Sequence, residues 1–271
     1  MSEHLAELPM YTAPDSLRAA GEQWLAHTLS ALGVQRRPWR GDDLQALFLD
    51  PRLLLTQTCG YPLMTALRGR VRLIGRPDYD LPYSGAGEHC SLLLVREDEP
   101  RASLADLRGC RGAANNPDSN TGMNLLRHAL APWQRDGRFF GELHWSGSHR
   151  RSLAWLRAGK VDLVAVDSVT FAYLALYAPE ETCGVRILQR SARSPALPYI
   201  TAADETQAER IRAALNLALA AAPDAARVLR IRQVLPAARS DYQVLLDYER
   251  HAAAQGLPLL HPAQRPARAL R

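Results

Sequence analysis

The chain has 271 residues, of which 47% are hydrophobic and 23% charged, and a formal net charge of +5. This is the composition of a folded globular protein long enough for one large domain or two ordinary ones, which excludes a disordered or fibrous chain. Nucleic-acid binding is excluded too. Arg265, Arg268 and Arg271 of the acid-free end HPAQRPARALR supply three of the five excess charges, and elsewhere acids and bases are interspersed.

The N-terminus, MSEHLAELPMY, carries Glu3 and Glu7 and no apolar run of seven residues. It does not read as a secretory signal, and no stretch of 18 apolar residues offers a membrane span, so the sequence as given is expected in the cytoplasm. Leu8–Tyr11 is the first predicted strand, Thr12–Asp15 its loop. From Ser16 a helix is predicted, because Leu17, Ala20, Trp24, Leu25, Thr28 and Leu29 recur at helical spacing.

The second strand is Leu53–Thr56, followed by the loop Gln57–Tyr61 and a helix opened by Pro62 and running to about Arg68. Val71–Gly75 is the third strand, and the continuous apolar run Ser91–Val95 is a strand from the middle of a sheet. A helical turn at Leu104–Leu107 precedes a strand at Gly112–Ala114. The polar stretch NNPDSNTGMNL (115–125) then leads into a helix, Met123–Leu130, stopped by Pro132.

Leu143–Trp145 is a strand with the loop SGSHR after it, and Ser152–Ala158 a helix closed by Gly159. Val161–Val166 is a strand, Asp167 opens the next loop, and Phe171–Tyr177 follows as a helix. Ile187–Leu188 and Tyr199–Thr201 are short strands, and helical patterns cover Ala208–Ala221 and Asp241–Ala254. Strands alternating with helices predict a parallel-rich α/β fold with helices on both faces. The middle of the chain has its own βα units, so two lobes are expected: residues 1–95 plus 195–271, and residues 96–194.

Ligands of α/β sheets sit beyond the carboxyl ends of strands, where loops and helix starts converge. Four loops occupy such places: Tyr11–Asp15, Gln57–Tyr61, Asp118–Gly122 and Ser146–His149. Asp118–Gly122 offers Ser119, Asn120 and Thr121 at a helix start, where unpaired N–H groups and the helix dipole favour an anion. The same residues are ordinary helix caps, and both readings stand. SGSHR repeats the chemistry with Ser146, Ser148 and His149, although His149 could equally be a surface residue in a first turn. Arg150 and Arg151 read as solvated charges.

No nucleophile elbow, zinc-protease helix or phosphate-loop lysine motif occurs, and Cys59, Cys90, Cys110 and Cys183 form no C-x-x-C pair. The cysteines read as small, buried and reduced. No catalytic group, metal site or cofactor is expected. The loops are suited to holding a ligand, and the protein is expected not to be an enzyme.

LTQTCGYPL (55–63), DLRGCRGAANNPDSNTGMNLLR (106–127), FFGELHWSGSHRRSLAWLRAGKVDLVAVDSVTFAYL (139–174) and ALPYIT (196–201) resemble the phosphate/phosphonate-binding proteins of ABC importers. The likeness runs in order from about residue 8 to 201; D-x-x-x-G followed by S-G-S-H is its most specific part. It implies the type II periplasmic-binding-protein fold, two lobes closing on a small oxyanion in the cleft between them, and an ABC permease as partner. It implies that Ser119, Asn120 and Thr121 hold the oxyanion, with His149 as a further donor; Ser148 is a candidate from its place in the SGSHR loop. Tyr61 matches an aromatic at the cleft wall, and Gln57 and Thr58 of the same loop are further candidate ligand contacts. Asp167 matches a position that takes the cationic end of an aminoalkylphosphonate, or else caps a helix. Tyr11 faces the cleft, or sits at the core edge.

Three departures stand out. The N-terminus as given does not read as an export signal, the loop reads SNT where better-known members carry more hydroxyls, and the first cysteine of the sequence as given, Cys59, is not expected to be a lipobox cysteine. The family is usually periplasmic, which stands as the alternative to the cytoplasm. Rival functions are a cytosolic sensor and an enzyme on the same fold.

Overall fold

The computed structural model describes residues 3–260, and the arginine-bearing tail, expected to be a frayed end, lies outside the described residues. Along the chain run β1 (Glu3–Ala6), α1 (Asp15–Leu32), β2 (Gln35–Arg37), α2 (Leu44–Phe48), β3 (Leu53–Gln57), α3 (Gly60–Met64), β4 (Arg72–Tyr79) and β5 (Glu88–Arg96). Next come β6 (Arg111–Ala114), a π-helical turn at Asn120–Asn124, α4 (Leu125–Leu130), β7 (Glu142–Trp145), α5 (His149–Arg157), β8 (Leu163–Asp167) and α6 (Ser168–Tyr177). The chain continues with β9 (Val185–Pro195), β10 (Tyr199–Thr201), α7 (Glu205–Ala221), α8 (Pro223–Leu229), β11 (Ile231–Leu235) and α9 (Gln243–Ala254). The class is α/β, as the alternation of apolar runs and helical patterns implied.

The chain divides into two units. The first takes Met1–His89, Ala172–Pro179 and Arg193–Leu246. Its sheet has the order β11-β4-β10-β3-β1-β2. Strand β1 runs parallel to β2 and β3, whereas β10 is antiparallel to β3 and β4, and β11 to β4. Helix α1 buries Leu17, Ala20, Trp24, Leu25, Thr28 and Leu29, the same six positions that its helical period marks in the sequence. Gly33, at φ +68°, ends it in the left-handed conformation that glycine adopts without a Cβ clash. The Trp24 indole N–H donates to Leu215 O on α7 at 2.9 Å, and its ring meets Tyr199 edge-on.

The second unit takes Cys90–Phe171, Glu180–Ala192 and Asp247–Arg271, and its sheet has the order β7-β6-β8-β5-β9. Strand β6 is parallel to β7 and β8, and β5 antiparallel to β8. Leu92, Leu93, Leu94 and Val95 of β5 are fully buried, as are Leu163–Val166 of β8, because both strands lie inside the sheet and both of their faces are covered.

Three local expectations are corrected. Leu8–Tyr11 is not a strand. Pro9 has no N–H for a ladder and Tyr11 takes φ +58°, so the ladder uses Glu3–Ala6 instead. Helix α3 starts at Gly60, before Pro62, and stops at Met64. The cysteines are free thiols, but only Cys90 and Cys110 are buried; Cys183 is exposed. Burial pushes the Cys110 thiol up to about 12, which keeps it protonated and unreactive. No helix among the described residues is long and apolar enough to cross a membrane.

Candidate functional site

In the second unit β6 ends at Ala114, and the polar stretch after it folds into a turn and then the π-helical turn. Ser119, in extended conformation, is the cap: its Oγ accepts the Gly122 N–H at 3.0 Å, and its carbonyl accepts the Asn124 N–H at 3.0 Å, five residues on. That five-residue spacing makes the first turn π rather than α, a widening that recurs at functional sites. Met123–Leu130, expected as the helix, is therefore the second part of a longer element that begins at Asn120. Ser119, Asn120 and Thr121 are all buried.

A second helix starts beside it. Ser148 caps α5, its Oγ accepting the Arg151 N–H at 3.2 Å. Ser146 serves the loop itself, donating to Ser148 O at 2.9 Å and sharing a hydrogen bond with Ser152 Oγ at 2.6 Å. His149, the first residue of α5, is half-buried rather than a surface residue. Its Nδ1 lies 3.2 Å from Ala165 O, its Nε2 3.1 Å from Thr121 Oγ1 and 3.4 Å from Asn115 Nδ2. A carbonyl oxygen only accepts, so Nδ1 carries a hydrogen, and in the neutral ring Nε2 is the acceptor.

Gly122 makes this arrangement possible. A Cβ there would come within 1.7 Å of Asn115 Oδ1 and 3.0 Å of His149 Cε1. Ser91, on β5, fixes the turn from below by donating its hydroxyl to Thr121 O at 2.7 Å. The Asn124 amide donates to Asn120 Oδ1 at 3.4 Å.

The cap reading and the anion reading turn out to be compatible. A serine Oγ that caps a helix uses a lone pair, and its own hydrogen is left to donate. Asp167 is buried at the end of β8, where its Oδ1 accepts the N–H groups of Val169 and Thr170 at 2.9 and 3.0 Å. It caps α6 directly, with no loop between.

The remaining sequence-derived positions belong to the first unit. Tyr11 meets Tyr79 and Tyr173 edge-on, with ring centroids 6.1 and 5.9 Å away. With Gln57, Trp24 and Tyr199 these rings line one pocket. Gln57 Nε2 donates to Leu197 O at 3.1 Å, and the Thr58 N–H to Pro198 O at 3.1 Å. The Thr58 hydroxyl is buried without a hydrogen-bond partner among the described residues. Tyr61 stands half-buried in the first turn of α3. Thus Tyr11 and Gln57 share one pocket, while Thr58 and Tyr61 are not among its lining residues. No group of three or more His, Cys, Asp or Glu among the described residues could hold a metal ion.

Sequence reasoning missed Asn115. The residue is 9% exposed and its amide borders both His149 and Gly122. Its position directly after β6, one strand over from the His149 loop, was the available signal.

Residues 53–242 match the family described as "ABC transporter, phosphonate, periplasmic substrate-binding protein". No curated protein matches the sequence. Among solved structures, a binding-protein component of an ABC phosphonate transporter from Pseudomonas aeruginosa superposes with a TM-score of 0.78 at 16% identity, covering 93% of this chain and 87% of the other. A Prochlorococcus marinus protein in complex with methylphosphonate gives 0.77 at 15% identity, over 92% and 97%. A Xanthomonas citri protein bound to chloride gives 0.71 at 19%, over 94% and 99%. At these identities the superpositions establish the fold, that of the type II periplasmic binding proteins. The family match covers well over half the sequence, so the chain belongs to the phosphonate-binding, periplasmic substrate-binding proteins of ABC transporters.

Proposed function

We propose that the protein holds a small phosphorus oxyanion, a phosphonate or phosphate-like group, at the cradle of the second unit and hands it to an ABC permease. The observation that carries this reading is the convergence of two helix starts on one place, joined by the contact between Thr121 Oγ1 and His149 Nε2 at 3.1 Å. Each start presents N–H groups with no acceptor inside its helix, and the two dipoles add at the same point. In this reading Ser119, Asn120, Thr121, Ser148 and His149 supply hydroxyl, amide and imidazole groups to that point. Inside a protein such donors are costly to leave unpaired, so an oxyanion that satisfies them is selected over a neutral guest. The Prochlorococcus neighbour, solved with methylphosphonate, supports the choice of anion. The family's periplasmic description supports placing this work there, beside a permease.

Titration calorimetry with methylphosphonate tests the reading. Stoichiometric binding without turnover is expected, and Thr121→Val should weaken it by about 1–3 kcal/mol, the worth of one hydrogen bond to a charged group. An absence of binding in the wild type, or an unchanged affinity in Thr121→Val, would refute it.

A further inference from the structure

We infer that anion binding at this cradle is coupled to uptake of one proton by His149, with the Thr121 hydroxyl as the two-position element that links them. The inference rests on the proposed oxyanion site and adds to it a regulation by pH. The contacts around the imidazole carry it. Nδ1 donates to Ala165 O at 3.2 Å. Nε2 faces Thr121 Oγ1 at 3.1 Å and Asn115 Nδ2 at 3.4 Å.

While the ring is neutral, Nε2 holds a lone pair and Thr121 donates its single hydroxyl hydrogen to it. The Thr121 oxygen then turns lone pairs toward the cradle and repels an anion. Were Thr121 to point its hydrogen at the anion instead, two lone pairs would face each other at 3.1 Å. Protonation removes the conflict once the Asn115 amide, whose Nδ2 faces Nε2 at 3.4 Å, turns its oxygen, buried without a hydrogen-bond partner among the described residues, toward the new Nε2–H. A proton from solvent bonds to Nε2, Nε2–H donates to Thr121 Oγ1, and the hydroxyl rotates its hydrogen onto the anion. No bond in Thr121 breaks; one N–H bond forms, and water or buffer loses the proton.

The ionisable groups on the surrounding elements set the balance. Asp167, which closes β8 two residues beyond Ala165, and Asp118, exposed in the loop before the π-helical turn, carry the sign of charge that suits an imidazolium. Arg150 and Arg151 on α5 oppose it, but Arg150 pairs with Glu181 and Arg151 lies over the Trp155 ring. On β7, His144 pairs with Glu142. The π-helical turn itself carries no charge.

The test uses the full chain and methylphosphonate, titrated calorimetrically in buffers of different ionisation heat between about pH 5 and about pH 9, a span that brackets histidine. Protons taken up by the free ligand are measured without protein and subtracted. Excess uptake should be near zero at the acid end and approach one proton per anion at the alkaline end. There the affinity should fall about tenfold per pH unit. Nitrogen NMR of the complex should show both ring nitrogens of His149 protonated. Thr121→Ser should keep the uptake, Thr121→Val should lose most of it, and His149→Gln should bind with no excess uptake at any pH. Binding without excess uptake, or a neutral His149 ring in the complex, would overturn the inference and leave the oxyanion site standing. No binding at any pH would overturn both.

Discussion

At Gly122, a Cβ would overlap the Asn115 amide oxygen and press on the His149 ring, so Gly122→Ala is expected to displace both. The overlap with Asn115 Oδ1 is too deep to be relieved by a few tenths of an ångström. The variant should therefore lose methylphosphonate affinity at least tenfold in calorimetry and lose about 1–3 kcal/mol of stability, the range for overpacking a tight site. An alanine variant that binds normally would show that the two helix starts are not fitted to each other through this glycine. Much of this was legible in the sequence. Ser119, Thr121, Ser148 and His149 are the residue types that helix starts and oxyanions both call for. Asn115 was passed over although it opens the polar stretch 115–125, because its importance comes from the His149 ring, which the fold brings alongside it at the start of α5. Nor could residue type decide between capping and ligation at Asp167; the backbone N–H groups it accepts are visible only once α6 is built directly onto β8.

Helix α1 shows the element scale at its most legible. Its buried face follows from the 3.6-residue period alone, and Trp24 lies at the centre of that face with its indole bonded to α7. Trp24→Ala removes a ring that is 2% exposed and takes the indole donor from Leu215 O. Loss of about 3–5 kcal/mol is expected, read as a lower urea midpoint with an unchanged slope. A loss under about 1 kcal/mol would mean that the cavity collapses or that α1 is held elsewhere. Short elements were harder to read. Strand β1 has four residues and only Leu5 and Ala6 buried, so no period stands out. The more apolar Leu8–Tyr11 attracted the prediction instead. The π-helical turn was equally hidden, because one extra residue in a turn leaves no mark on hydrophobic spacing. Helix α8 and strands β2 and β11 were passed over for the same reason of length.

At the scale of the whole molecule, the buried carboxylate of Glu99, tied to an arginine, links stability to pH. The hydrogen bonds from Arg101 to Glu99, at 2.6 and 2.8 Å, hold that carboxyl below its ordinary range, against the opposing effect of burial. A depressed carboxyl contributes stability that is present above its unfolded pKa and lost as pH falls through its folded value. Glu99→Gln should accordingly destabilise the protein at neutral pH, and the difference from wild type should close as pH drops below the carboxylate range. Denaturation midpoints measured along that pH series check it; a difference independent of pH would mean that packing, not charge, is what Glu99 supplies. Family and fold were legible at this scale, since D-x-x-x-G and S-G-S-H sit at fixed places among alternating strands and helices. The mixed direction of the strands was not, because an apolar run carries no sign of which way its neighbour runs.

Strand β2 closes one border of the first sheet, and it is only three residues long with the sequence Gln-Arg-Arg. Arg36 is tied to Glu7 and Glu22, and Arg37 is exposed. A border this brief, bearing the exposed charge of Arg37, gives an incoming extended peptide few amide groups to zip onto. Self-recruitment into larger sheets is thereby discouraged, which matters for a carrier that must stay dispersed while it waits for cargo.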